Sequence, residues 1–430
     1  MYTSYLNGRR RELALIFSLL ACFSGVLEAQ NYDNPGLGEL PVSAHPQDYK
    51  PLGVRAGGFM LHPGVQLAAE FNDNVFYTAQ DEVDDTVWHV RPYITAQSNW
   101  NRHALNLRLA ADIARFDTFG TRDYEDYFLL INGRVDVRNR SYFSYTADYM
   151  RLHEDFNSRD AEQGREPTRY DLMGGSLGYD HTFNRLSVGG LFGLRRLDFE
   201  DAIALDGSVL DNQDRNRDES FADLRFGYQF QTDKQAFVRF SWNSRDYDQF
   251  LDRNGIHRNS DGWAAHAGLL FNITGKLDGD VYVSYHDQSF DDPRLPGVNG
   301  WAGGAGLQWR PTLLTSVGAR IMSSVQPTTL ATSSGYLRTV YSVRVDHELT
   351  RSLQLNGQVS YGDNDYQLTP DAPVTARTSD EIWQYGLGLN YFINRWLFVS
   401  AAYTHDRLRS NVPGDEYDVN RIWLTLSLER

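Results

Sequence analysis

One short stretch matches a nucleophile motif. GGSLG, residues 174–178, satisfies G-x-S-x-G around Ser176, with Asp180 and His181 close behind. In hydrolases that use this motif the serine sits on a sharp turn between a strand and a helix, which presents its hydroxyl to a base. Here strand-like alternation runs on through Leu177 and Tyr179, so Ser176 reads as an ordinary strand residue. WAGGAGLQW, residues 301–309, is rich in glycine but opens no helix, as a phosphate-cradling turn would. Small residues facing a lumen, or easing the curvature of a sheet, explain it better. The eleven histidines are scattered, with neither HExxH nor a paired metal spacing. The acid runs DEVDD (81–85) and DNQDRNRDE (211–219) do not fit the EF-hand pattern. They read as solvated loop faces, with divalent bridging to lipopolysaccharide phosphates as the alternative. The expectation is a protein that is not an enzyme and carries no cofactor or metal.

A second set of residues is more informative. Arg91, Arg108, Arg134, Arg138, Arg195, Arg225, Arg239, Arg245, Arg310, Arg320, Arg338 and Arg344 all occupy positions opposite an alternating apolar face. Asp112, Asp136, Asp148, Asp171, Asp223, Asp278, Asp280 and Asp346 share that phase. Two readings are compatible. The arginines pair with the aspartates and brace a sheet, or they line a path that attracts anions, because a low-dielectric wall focuses the field of its charges. An acidic polysaccharide would suit such a path, with aromatic rings stacking on its sugars.

The elements that would position these arginines are strands. In TVWHVRPYITAQSNW, residues 86–100, Trp88, Val90, Pro92, Ile94, Ala96 and Trp100 fall on even positions, and His89, Arg91, Thr95, Gln97 and Asn99 on odd ones. A period of two is the signature of a strand with one apolar face. It recurs to the C-terminus in about 18 segments of 9 to 15 residues, and no stretch has a helical period. Short turns at 99–102, 183–185, 232–234, 274–276, 349–351 and 393–395 alternate with long polar segments such as 155–167, 198–218, 246–261, 287–299, 363–380 and 406–418.

A soluble sandwich or propeller also alternates, but its strands average about 5 to 6 residues. A strand tilted across a bilayer needs about 9 to 11. Alternating short and long connections suit a barrel whose hairpins emerge on opposite sides of a membrane. Tryptophans near the segment ends, Trp88, Trp100, Trp242, Trp301, Trp309 and Trp383, fit two interfacial girdles. Trp88 and Trp100 would lie roughly 40 Å apart along a strand rising about 3.3 Å per residue, or roughly 30 Å along the membrane normal at a tilt of about 40°. The expected fold is therefore all-β: a transmembrane antiparallel up-and-down β-barrel of the bacterial outer membrane, with about 18 strands. Pro92 lacks the N–H that a ladder needs, so a local bulge is expected there.

Composition agrees. A mean hydropathy of −0.50 leaves no room for a bundle of membrane helices. At the N-terminus Arg9, Arg10 and Arg11 precede LALIFSLLACFSGVL, with Ala29 at a plausible cleavage position, the layout of a signal peptide over residues 1–29. Cys22 lies inside it and raises lipidation as the alternative; without that segment no cysteine remains for a disulfide. Residues 30–57, with Pro35, Pro41, Pro46 and Pro51, read as an extended periplasmic segment or plug, and residues 58–430 as the barrel. The net charge of −15 argues against nucleic acid as a partner. Outer-membrane lipid and lipopolysaccharide are the expected surroundings.

KPLGVRAGGFMLHPGVQLAAEFNDNVF, VRPYITAQSNWNRHALNLRLAADIARF and RLHEDF together resemble the outer-membrane β-barrel porins of the second type. The likeness is strongest over residues 49–154 and continues to residue 430 as strand pattern. Several such porins are encoded among genes for exopolysaccharide or capsule synthesis. The resemblance implies a channel linked to polysaccharide export, with a polysaccharide and a periplasmic export component as partners, and it supplies no catalytic residues. The sequence departs from outer-membrane barrels generally by ending in Arg430 rather than phenylalanine, although Ile422, Leu424, Leu426 and Leu428 still alternate as a last strand should. A general diffusion porin, a barrel-embedded hydrolase using Ser176 and a purely structural barrel are the competing expectations.

Overall fold

The structure, a computed structural model, describes residues 49–155, 158, 164–204 and 206–430. The expected signal peptide, and the segment after it as far as residue 48, lie outside the described residues. The strands are β1 (Val54–Ala56), β2 (Phe59–Asn72), β3 (Asp85–Ser98), β4 (Ala104–Phe116), β5 (Tyr124–Arg138), β6 (Ser141–His153) and β7 (Arg169–Phe183). There follow β8 (Leu186–Phe199), β9 (Ala202–Ile203), β10 (Val209–Leu210), β11 (Arg217–Gln231), β12 (Lys234–Tyr247), β13 (Ser260–Ile273) and β14 (Leu277–Phe290). The last seven are β15 (Val298–Trp309), β16 (Thr315–Pro327), β17 (Ser333–Thr350), β18 (Leu353–Leu368), β19 (Ser379–Asn394), β20 (Leu397–Ser410) and β21 (Tyr417–Glu429).

The seven strands β2–β8 and the eleven strands β11–β21 form one closed antiparallel barrel of 18 strands. It closes where Gly64–Asn72 of β2 pair with Glu429–Arg421 of β21. Closure follows from the solvent: in lipid each unpaired backbone group costs several kcal/mol, so a spanning sheet cannot keep free edges. The outward face is correspondingly apolar and open, with Leu194, Val238 and Leu387 each more than half exposed.

Two aromatic girdles bound this face. Trp88, Trp242, Trp263, Trp301 and Trp383 lie toward the long-loop end, and Trp100, Trp309 and Trp396 at the short-turn end. The first girdle is continuous in places: Phe240, Trp263, Tyr285 and Trp301 follow one another with ring centroids 6.1, 5.8 and 5.3 Å apart. Trp263 and Trp396 join girdles that the sequence reading built without them, whereas Trp423 turns inward and is buried.

All six short turns read from the sequence fall between strands at one end of the barrel, joined there by residues 139–140 and 310–314. Several of the long polar segments are shorter than they read, because strands such as β14, β18 and β20 continue into them as far as Phe290, Leu368 and Ser410. The bulge expected at Pro92 is absent. Pairing of β3 with β4 stops after Val90↔Ile113 and resumes at Tyr93↔Ala110 in the same register, so the missing N–H interrupts the ladder without shifting it.

A different pair of strands departs from regularity. β15 and β16 are laddered over five partners only, from Ala305↔Ile321 to Trp309↔Val317. Above that, toward the long loops, β15 stays paired with β14 up to Val298, and β16 with β17 up to Pro327↔Gly335, while the two diverge from each other. A Cβ on Gly335 would lie 3.5 Å from the Val298 side chain and 3.7 Å from Phe290. Val298 and Phe290 both lie on the inward phase of their strands, so the upper β16–β17 hairpin is folded inside the wall.

Candidate functional site

A cavity of about 3220 Å3 occupies the barrel. It opens among the short turns, at Arg102, Arg140, Arg185 and Thr274, and reaches up to Arg245, Gln288 and Val325. Strand parity explains its lining. On β11 and β12 the even positions Leu224, Phe226, Val238 and Phe240 face outward, which turns Arg225, Arg239 and Arg245 inward. The walls carry eleven arginines and Lys234 against six aspartates and no glutamate. A chain of net charge −15 thus surrounds a basic interior.

Many of these arginines are held by carboxylates. Arg239 Nε donates to Asp223 Oδ1 at 2.7 Å, and Ser241 Oγ donates to the same oxygen at 2.5 Å. Glu219 is bracketed by Arg217 at 2.9 Å, Arg195 at 3.9 Å and Arg245 at 4.0 Å. Arg134 pairs with Asp136 at 3.0 Å, Arg310 with Asp278 at 2.6 Å and Arg344 with Asp346 at 3.0 Å. Arg225 also lies over the Phe237 ring, 4.7 Å from its centroid. Pairing fixes the guanidiniums in place and leaves the wall with more cations than anions.

Of the twelve arginines singled out from the sequence, Arg134, Arg138, Arg225, Arg239, Arg245, Arg310, Arg320 and Arg344 line this cavity. Four do not. Arg91 donates to Asp112 at 3.0 Å in a packed sector, where His89 also reaches Asp112 at 3.0 Å and Glu70 at 3.3 Å. Arg195 is buried beside Glu219, Arg108 lies over the Tyr93 ring at 5.9 Å, and Arg338 stands opposite Ser324 and Asn364. Arg102, Arg140, Arg185 and Lys234, at the turn mouth, belong to the lining and carried no strand-parity signal because they sit in or beside turns.

The long-loop end is packed. Tyr170, Leu172, Leu197 and Phe199 form one buried cluster with Met150 and Leu152, and Leu408, Tyr417 and Val419 form another with Tyr77 and Ile382. Loops meet above the cavity. Arg258, in the loop after β12, donates to the carbonyls of Ser333 at 3.0 Å, Thr329 at 3.3 Å and Leu330 at 2.9 Å, and its Nε to Asp252 at 2.9 Å. Asp292 accepts from the His257 amide at 3.0 Å and pairs with Arg294. That hydrogen-bonded guanidinium holds the Asp292 carboxyl well below the usual range.

Ser176 lies mid-strand on β7 and shares a 2.7 Å hydroxyl hydrogen bond with Thr146, its cross-strand partner. His181, five residues on, falls on the opposite face and contacts Ser141. No elbow exists there. One carboxylate of each acid run is taken up by protein donors: Asp85 accepts from the amides of Thr118 and Phe119, and Asp214 from Arg253.

A family model described as "Putative beta-barrel porin 2" matches residues 45–430. No curated protein matches the chain. Among solved structures, OpdO of Pseudomonas aeruginosa is 14% identical, covering 90% of this chain and 99% of its own, with a TM-score of 0.45. The outer membrane protein OpdK of the same organism is 12% identical, covering 86% and 99%, at 0.44. OccAB3 of Acinetobacter baumannii is 12% identical, covering 87% and 100%, at 0.45.

Proposed function

Because this chain belongs to the beta-barrel porin 2 family and is an outer-membrane porin, we propose that it conducts anions and that its cargo is an acidic exopolysaccharide entering from the periplasm. The observation that carries the reading is the basic cavity open at the short-turn mouth, which faces the periplasm in barrels of this kind. Confined between low-dielectric walls, its surplus of cations raises the local concentration of anions. Arginine suits uronate or other carboxylate groups because it presents a planar pair of donors to them.

A polymer also fits the packed outer end better than free diffusion does. A general porin needs an open path at rest, whereas here the β16–β17 hairpin and the Arg258 contacts cover the way out. Export would require those contacts to yield, as a chain driven from the periplasm could make them do.

The test is conductance of the protein in a planar bilayer under a salt gradient, with acidic and neutral oligosaccharides added on the short-turn side. Anion-selective current blocked by the acidic oligomer supports the reading, and cation selectivity removes its electrostatic basis. Deleting the gene while surface polysaccharide stays undiminished would leave general solute diffusion as the function.

A further inference from the structure

The described chain begins on the inner side of the barrel wall. β1 pairs with Phe59–Leu61 of β2, on the edge that β21 takes over from Gly64 onward. Odd positions of β2 such as Leu67 and Phe71 are exposed on the lipid face, which turns Met60 and His62 into the lumen. Gly53, where the chain turns at φ 72°, lies against those two side chains: a Cβ there would fall 2.7 Å from His62 and 2.8 Å from Met60. Tyr49 then rests against Phe392 of β19, with ring centroids 5.7 Å apart, and Phe392 packs on Phe398 of β20 at 5.4 Å. Between β2 and β19 the chain has thus crossed the inner faces of β21 and β20.

The wall it meets differs from the rest of the lumen. The basic cavity is lined as far round as Arg344 of β17 and Gln358 of β18, and by no described residue of β19, β20, β21 or β2. Between the Asp406–Arg421 ion pair and Glu429 at the short-turn rim, the inward positions of β18–β21 carry no charge. Gln354, Asn356, Asn390, Ser400, Thr404 and Ser427 are all buried there. Five of their atoms have no hydrogen-bond partner among the described residues: Gln354 Oε1, Asn356 Oδ1, Asn390 Nδ2, Thr404 Oγ1 and Ser427 Oγ. Ser400 Oγ donates to Asn390 Oδ1 at 2.7 Å, which uses the acceptor of that amide and leaves its donors over. Buried amides and hydroxyls are nearly always satisfied. A strip that offers both donors and acceptors is the complement of an extended backbone, which brings N–H and C=O groups in alternation.

We propose that residues 30–48 of this chain run up the inner face of β18–β21 as an extended plug, their backbone on the amide and hydroxyl strip and their carboxylates toward the basic cavity. The segment holds Asp33, Glu39 and Asp48 and no lysine or arginine, so its charge complements the cavity. Pro35, Pro41 and Pro46 favour an extended chain, which makes no hydrogen bonds of its own and must find them elsewhere on leaving water. Nineteen residues reach roughly 60 Å at about 3.1 Å each. A 14-residue strand such as β20, tilted by about 40°, stands roughly 35 Å tall. Starting from Tyr49 near the short turns, the segment is long enough to climb the whole wall. It confines the open lumen to the basic half, and it holds whether or not that half passes a polysaccharide.

Cysteine labelling tests the cover. In full chain carrying Cys22→Ser, assembled in outer-membrane vesicles, Thr404→Cys and Ser427→Cys on the strip should react with a hydrophilic maleimide at least fivefold more slowly than Ser342→Cys, which lines the cavity. Deleting residues 30–47 should bring the two slow sites close to the rate of the third and leave Ser342→Cys unchanged. Strip cysteines that stay slow after the deletion, or that react fast before it, would overturn the proposal; the heat-modifiable folded band checks that each variant assembles. A second measurement needs no deletion. With photoreactive benzoylphenylalanine in place of Leu40, illumination should crosslink the segment to peptides of β18–β21. Crosslinks to the cavity strands β11–β14, to another protein alone, or to nothing in the chain would refute the assignment, and neither readout depends on what the channel conducts.

Discussion

Arg245 and Val325 stand on strands four positions apart in the barrel wall, yet the Arg245 guanidinium donates to the Val325 carbonyl at 3.4 Å. Strands in a sheet lie about 4.8 Å apart, so a side chain could not span that arc if both strands followed the wall. The contact exists because β16 bends inward. It ties the upper limit of the basic cavity to the hairpin that covers it.

Arg258→Ala should loosen that cover. The substitution removes one donor from each of three carbonyls and takes the cation from the buried Asp252 carboxylate. Breaking a buried pair costs about 3–5 kcal/mol, here local to the loops. Single-channel conductance should rise several-fold, with faster proteolysis in residues 328–332. An unchanged channel would show that the loops do not limit flow.

Reversing cavity charge should reverse selectivity. In Arg225→Glu with Arg344→Glu, two cations of the lining become anions. The reversal potential under a salt gradient should move toward the cation value, while folding, judged by heat-modifiable migration, is retained. The shift should shrink at high salt, where the Debye length falls to about 3 Å.

Acid should leave the loop cover intact until well below the usual carboxylate range. The Asp292 carboxyl is depressed in the folded protein, chiefly by its hydrogen bond to Arg294. A depressed group contributes stability that is fully present above its unfolded pKa, near 4, and is lost as pH falls through the folded value. Loop proteolysis should therefore be flat from pH 7 to pH 4, and Asp292→Asn should raise it at pH 7. A rise in the native protein between pH 6 and pH 4 would contradict the assignment.

Gly64→Val should weaken the closing seam. A Cβ there would fall 2.3 Å from the Tyr93 ring, whose hydroxyl donates to Glu429 of the last strand. Overpacking of this kind costs about 1–3 kcal/mol. The folded band on unheated gels should melt at a lower temperature, and adding Tyr93→Ala should recover part of the loss by making room.

The barrel was legible because alternation is a local property: residues such as Val238, Phe240 and Trp242 declare their face without reference to any neighbour. The same parity turns Arg239 and Arg245 inward, but it says nothing of what fills the lumen at a given height. Arg91 and Arg195 are inward and yet lie in packed sectors, held by Asp112 and Glu219. Nor could alternation expose the split seam. From Ser323 to Ser334 the alternation fades into serines and threonines, which any loop would also show, and the departure is visible only as a missing ladder to β15. The tight turn at 139–140 is not marked in the sequence, because the polar run from Arg138 to Ser141 blurs the strand ends.

The pairing of β2 with β21 also sets an order of events. The first and last strands of the barrel meet across residues 64–72 and 421–429, the strand pairing of greatest sequence separation among the described residues. Contacts between distant parts of a chain form slowly, and until this one forms both partners present bare edges. A nascent chain is therefore committed only when its final strand arrives, and one truncated before β21 would remain a substrate for proteases rather than a smaller pore.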